Sequence, residues 1–101
     1  MLHQIGTAKD DVAGKMLLRQ VVDCLDDRLM EFGNLMTLGN SFFWTKDIHL
    51  LSINQQGKNV VARFWSDDPI NAERMHLWDA TPDELIQFVG WIEDRLRKCL
   101  V

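Results

Sequence analysis

The sequence predicts an α+β fold, a two-layer α-β-β-β-α sandwich whose three-stranded, mostly antiparallel sheet carries two helices on one face. Three observations lead there. Apolar residues recur at helical spacing through the first third of the chain. The period shortens to that of strands after Ser41, and helical spacing returns behind a complete start signal at Thr81. With 101 residues and no repeat or linker, one domain is expected over 1–101.

The first helix is expected over about residues 7–32. Leu18, Val21, Val22, Leu25, Leu29 and Phe32 follow one another at steps that place them on one face, with Arg19, Asp23, Asp26, Asp27 and Glu31 largely opposite. Thr7 with Asp10 makes a weak capping signal, and Gly33-Asn34 is the natural stop. Strands are expected over about 47–54, 59–66 and 72–78. The first two are rich in β-branched and aromatic residues and flank Gly57, whose freedom at positive φ suits a hairpin turn. Ser66-Asp67-Asp68-Pro69 supplies the next turn, since Asp side chains cap such turns and Pro presets φ. The last helix, about 82–100, has Thr81 at the N-cap, Pro82 at the first helical position and Glu84 closing a capping box. Its apolar stripe is Leu85, Phe88, Val89, Ile92, Leu96, Cys99 and Leu100, and Arg95, Arg97 and Lys98 complement the negative end of its dipole.

The hairpin carries the functional expectation. A loop centred on Gln56-Gly57 pairs Ile53 with Val60, Leu51 with Ala62 and His49 with Phe64, a mostly apolar face suited to the helices. Ile48, Leu50, Ser52, Val61, Arg63 and Trp65 then share the other face, joined from the third strand by Trp78 or by Met75 and Leu77, according to that strand's register. A face turned to water should be polar, and this one is apolar around an arginine, the composition of an interaction surface. Residues 35–44 could instead fold across it, since Leu35, Met36, Leu38, Phe42, Phe43 and Trp44 are apolar enough to cover it.

Charge and composition narrow the rest. Eleven basic against fifteen acidic residues give a net charge of −4, which argues against nucleic acid. No apolar run is long enough to span a membrane, and Met1 to Asp11 lack the basic-then-apolar pattern of a secretory signal, so a cytoplasmic chain is expected. His3, His49, His76, Cys24 and Cys99 make no metal-ligand spacing, so no metal or other cofactor is expected. Cys24 and Cys99 read as core packing, with a disulfide between them conceivable only where the helix ends adjoin. Glycines are dispersed, with no phosphate-binding loop, and no nucleophile or acid–base set emerges. Asp23, Asp27 and Glu31, spaced by fours, form an acidic ridge that could dock a basic partner.

The expected function is therefore non-enzymatic. It is a protein–protein interaction module, of the adaptor, inhibitor or immunity type, that self-associates as a homodimer through the apolar sheet face and can engage a heterologous protein. The residues expected to carry it are Ile48, Leu50, Val61, Arg63, Trp65 and Trp78, with Asp23, Asp27 and Glu31 as a secondary acidic site. The alternative is a small-molecule binding or sensing domain in which Trp44, Trp65 and Trp78 line an apolar pocket.

Overall fold

A computed structural model describes residues 17–68, 70–79 and 81–100 and is α+β, with an antiparallel sheet of five strands rather than three. Residues 17–24 are helical (α1). They are followed by a short helix, α2 (Asp27–Met30), and by strands β1 (Asn34–Leu38), β2 (Ser41–Lys46), β3 (His49–Gln56), β4 (Asn59–Trp65) and β5 (Glu73–Leu77). Helix α3 (Pro82–Lys98) closes the described chain. No helix among the described residues is long and apolar enough to cross a membrane.

The expected helix over 7–32 is broken, and its residues 7–16 lie outside the described part. The break is made by Asp26, which leaves the helical region (φ −68°, ψ 117°) and accepts the Arg28 N–H on its carboxylate at 2.9 Å. An aspartate that can cap a fresh helix start competes well with continued helix. The N–H of Asp26 donates to Glu93 Oε2 on α3 at 2.9 Å, fixing the break against the last helix. At the far end Thr81 caps α3, its hydroxyl accepting from Glu84 N as expected, while Glu84 Oε2 accepts from Asp79 N.

The sheet is a meander, β1-β2-β3-β4-β5, with every neighbour antiparallel. Its first three connections are two-residue turns, Gly39-Asn40, Asp47-Ile48 and Gly57-Lys58. In each of them the first residue alone takes positive φ (59°, 54° and 62°), the pattern of a type II′ hairpin turn. The β3–β4 turn is thus centred on Gly57-Lys58, and Ile53 pairs with Ala62, Leu51 with Phe64 and Gln55 with Val60. This register differs from the expected one by two residues, so each side chain keeps its face.

One face of the sheet packs on the helices. Phe42, Trp44, Leu51, Ile53, Val60, Ala62, Phe64 and Leu77 bury against Val21, Leu25, Leu29, Phe88, Ile92 and Leu96. Arg95 ties α3 to the sheet, donating to Glu73 Oε1 at 3.2 Å with its guanidinium 4.1 Å above the Trp91 ring.

Trp44 joins the helical segment to the sheet. It is fully buried, and its Nε1 donates to Met30 O at 3.0 Å. A Cβ at Gly33 would stand 2.6 Å from that same nitrogen and closer still to Cε2, so position 33, between α2 and β1, is glycine because the indole occupies the space. Two glycine substitutions should therefore differ in sign. Gly33→Ala should destabilise by about 1–3 kcal/mol through overpacking. Gly90→Ala, in α3 with open space around it, should stabilise by about 0.5–1 kcal/mol. Urea denaturation of the two variants checks both.

Candidate interaction surface

The face turned away from the helices is built mainly by alternate residues of all five strands. It holds Asn34, Met36 and Leu38 of β1, then Ser41, Phe43 and Thr45 of β2. Leu50, Ser52 and Asn54 of β3, Val61, Arg63 and Trp65 of β4, and Arg74 and His76 of β5 complete it. Residues 35–44 therefore extend the sheet instead of folding across it. Phe42 and Trp44 point into the core, and Phe43 lies on the open side.

The predicted residues are partly brought together. Leu50 and Trp65 face each other across β3 and β4 and are half-buried, and Arg63 stands opposite Ser52. Val61 is on the same face but only 1% exposed, set between Asn54 and His76 on the flanking strands. It supports the surface from within and has almost no area to offer a partner. Ile48, expected on the strand, lies in the β2–β3 turn, where it is exposed. Trp78 follows β5 and stacks on His76, ring centroids 4.8 Å apart and planes within 3°, while remaining 62% exposed.

A polar node fixes the centre. Asn54 Oδ1 accepts from Ser52 Oγ at 2.9 Å and from Arg63 Nη1 at 3.4 Å, and Asn54 Nδ2 donates to Ser41 Oγ. This chain crosses β2, β3 and β4 and holds the Arg63 head over the sheet. Directly opposite Arg63 on β5 stands Arg74, whose side chain makes no hydrogen bond or ion pair to any described residue. Two arginines facing each other across adjacent strands oppose folding, so this pair costs the sheet stability. None of the strand residues on this face is acidic.

Exposure concentrates on two flanks. On one side lie Met36 and Leu38 of β1, and on the other Arg74, His76 and Trp78. Beside the second flank is a depression of about 370 Å³ lined by Arg74, Met75, His76, Trp78, Glu84 and Gln87. The presence of β1, Phe43, Arg74 and His76 on this face was not anticipated from sequence. Arg74 and His76 were legible in the alternation of the third expected strand, whereas β1 offers no alternating pattern.

The acidic ridge does not form as one helical row. Asp23 ends on α1 paired with Arg19 at 3.3 Å, Asp27 opens α2 after the break, and Glu31 caps the end of α2. Trp44 is on the opposite side of the sheet from Trp65, and Trp78 flanks the open face, so the three indoles line no common pocket. His49 and His76 also take opposite faces. His49 stacks on Phe64 and bonds Ser66 Oγ through Nδ1 at 3.0 Å, and His3 lies outside the described residues. No group of three or more metal-ligating side chains occurs among the described residues. Comparison with protein-family models, curated proteins and solved structures finds no match to this chain.

Both cysteines are free; Cys99 packs in the core as expected, and Cys24 does not. Cys99 is buried, and Cys24 is exposed on α1. Burial pushes the Cys99 thiol up from its ordinary pKa, with Lys46 opposing that shift and Asp47 adding to it. Stability supported by this thiol is intact below the unfolded thiol's pKa and falls as pH climbs from there through the raised folded value. A thiol reagent at neutral pH should accordingly label Cys24 on mixing and Cys99 only after denaturant is added. Mass spectrometry of labelled peptides reads the order, and rapid labelling of Cys99 in native protein would contradict its burial.

Proposed function

We propose that this protein is a non-enzymatic protein–protein interaction module that engages an acidic partner through the open face of its sheet, centred on the flank of Arg63, Arg74, His76, Trp65 and Trp78. The carrying observation is the Arg63–Arg74 pair. A chain of net charge −4 keeps two arginines opposed across adjacent strands, on a face whose strand positions hold no carboxylate. A bound carboxylate-rich segment would relieve that repulsion, and arginines beside the exposed indole of Trp78 and the half-buried one of Trp65 are the composition of interface hot spots. A second copy stacked face to face on the same region would bring four arginines together, which favours a different protein there.

Opposite outcomes for stability and binding test the reading. Arg74→Glu replaces a like-charge pair by an opposite one and should raise stability by about 0.2–1 kcal/mol in thermal or urea melts. The same variant should lose binding to a glutamate-rich peptide carrying one or two aromatic residues, followed by quenching of tryptophan fluorescence. Arg97→Glu, a charge-matched change near the end of α3, should keep it. In the unaltered protein, binding should weaken with added salt. Absence of peptide binding, or equal loss in Arg74→Glu and Arg97→Glu, would remove the basis for an acidic partner at this flank.

A further inference from the structure

We infer that the protein also self-associates, through edge-to-edge antiparallel pairing of β1 with β1 of a second copy about a two-fold axis at Met36. This goes beyond the acidic-partner reading and stands on separate observations. Strand β1 is an edge of the sheet, exposed at all five positions, with Leu35 53%, Met36 63% and Leu38 67% exposed. An edge of this kind presents unpaired backbone groups that template another strand. The other edge, β5, is blunted by Glu73, Arg74 and His76.

Which strand fits is decided by charge. A strand paired antiparallel with its own copy about a dyad sets residues of like type close together, so charges repel. Strand β1 (Asn-Leu-Met-Thr-Leu) is the one strand of the five with no charged or titratable side chain, whereas β2 carries Lys46, β3 His49, β4 Arg63 and β5 three such residues. It can meet itself without the repulsion that a chain of net charge −4 would otherwise generate.

The hydrogen-bond alternation sets the register. The two-residue turn Gly39-Asn40 closes on the bonded pair Leu38–Ser41, so Asn34, Met36 and Leu38 turn their backbone groups toward β2. The Gln55 N–H bond to Asn40 O, 2.9 Å, continues the complementary alternation on the far side of β2. Leu35 and Thr37 are left with N–H and C=O directed outward. Centred on Met36, each copy's Leu35 exchanges two bonds with the other's Thr37, giving four in all, and Met36 meets its own counterpart in a close, non-bonded pair. A dyad perpendicular to the sheet leaves both open faces on the same side of one continuous ten-stranded sheet. Five residues of pairing bury little surface, which places the dimer in the weak, micromolar class.

Light scattering on a size-exclusion column from about 1 to 100 μM, the range where weak association appears, should show the mass rising toward twice that of the monomer. Thr37→Pro removes an outward N–H without touching the pairing to β2, and should give a monomer throughout with an unchanged far-UV circular dichroism spectrum. In a Cys24→Ser background, oxidised Met36→Cys should yield a covalent dimer, because the closely paired Cα atoms fall within disulfide range. Ile48→Cys, whose parent residue is also 63% exposed, should not. A monomer at every concentration, a dimer that persists in Thr37→Pro, or equal cross-linking at residues 36 and 48 would each overturn the pairing.

Discussion

The burial of Trp44 is the interaction on which the arrangement of this chain depends. Its indole fills the angle between the end of α2 and the sheet, and its one polar atom donates to Met30 O. That carbonyl belongs to the last residue of a helix, one of the groups a helix end leaves without an internal partner. The same contact excludes any side chain at Gly33 and so sets the point where the backbone leaves the helical layer. Two residues later Leu35 lies directly opposite Trp44 on the neighbouring strand. The position of β1, the most exposed strand, is thus fixed by a fully buried aromatic residue.

The two faces divide hydrophobic and electrostatic roles. The acids of this chain lie mainly on the helices and in the turns: Asp23, Asp26, Asp27 and Glu31 around the helical break, Asp47 and Asp68 in turns, and Asp83, Glu84, Glu93 and Asp94 on α3. Several have local structural tasks. Asp68, for example, accepts from the Asn71 side chain and from the backbone of Ile70 and Asn71, which holds its carboxyl below the usual range. The open face has the reverse balance, with arginines, a stacked histidine and indoles around the Ser41–Asn54–Ser52 node. A net negative chain thereby presents a local positive surface, and net charge alone is a poor guide to what such a surface attracts.

How much of this was legible in the sequence follows from how each element is stabilised. Helix α3 announces itself because cap, proline and apolar stripe all agree. The hairpin of β3 and β4 was legible in its faces but not in its register, because a slip of two residues preserves the alternation that sequence reveals. Strand β1 escaped notice because it is exposed on both sides and has no periodicity to detect. Strand β2 was hidden by Phe42-Phe43-Trp44, a run of bulky residues that reads equally well as a lid or as a strand with two aromatics on one side and one on the other. The break at Asp26 was obscured by an apolar stripe that continues through it, with Leu25 and Leu29 buried on either side. The open face followed the same rule: the hairpin alternation placed Leu50, Arg63 and Trp65 on one side of the sheet, whereas the position of Arg74 opposite Arg63 emerged only with the pairing of β4 and β5.

The meander topology has a kinetic consequence. Every strand pairs with its neighbour in sequence, and the first three connections are two residues long. The sheet can therefore grow by zipping outward from any of three left-handed turn residues, closing only small loops as it goes. The long closures come from the ends of the chain. Asp26 must meet Glu93 across 67 residues, and Lys46 must reach the Cys99 carbonyl across 53. Short connections between strands adjacent in sequence keep contact order low for a protein with so much β-structure. Such a chain can form its sheet before the helices arrive to shield one side, so both sheet surfaces face water during that interval. Strand β1, an exposed edge even in the finished fold, then has no cover on either side while the protein folds.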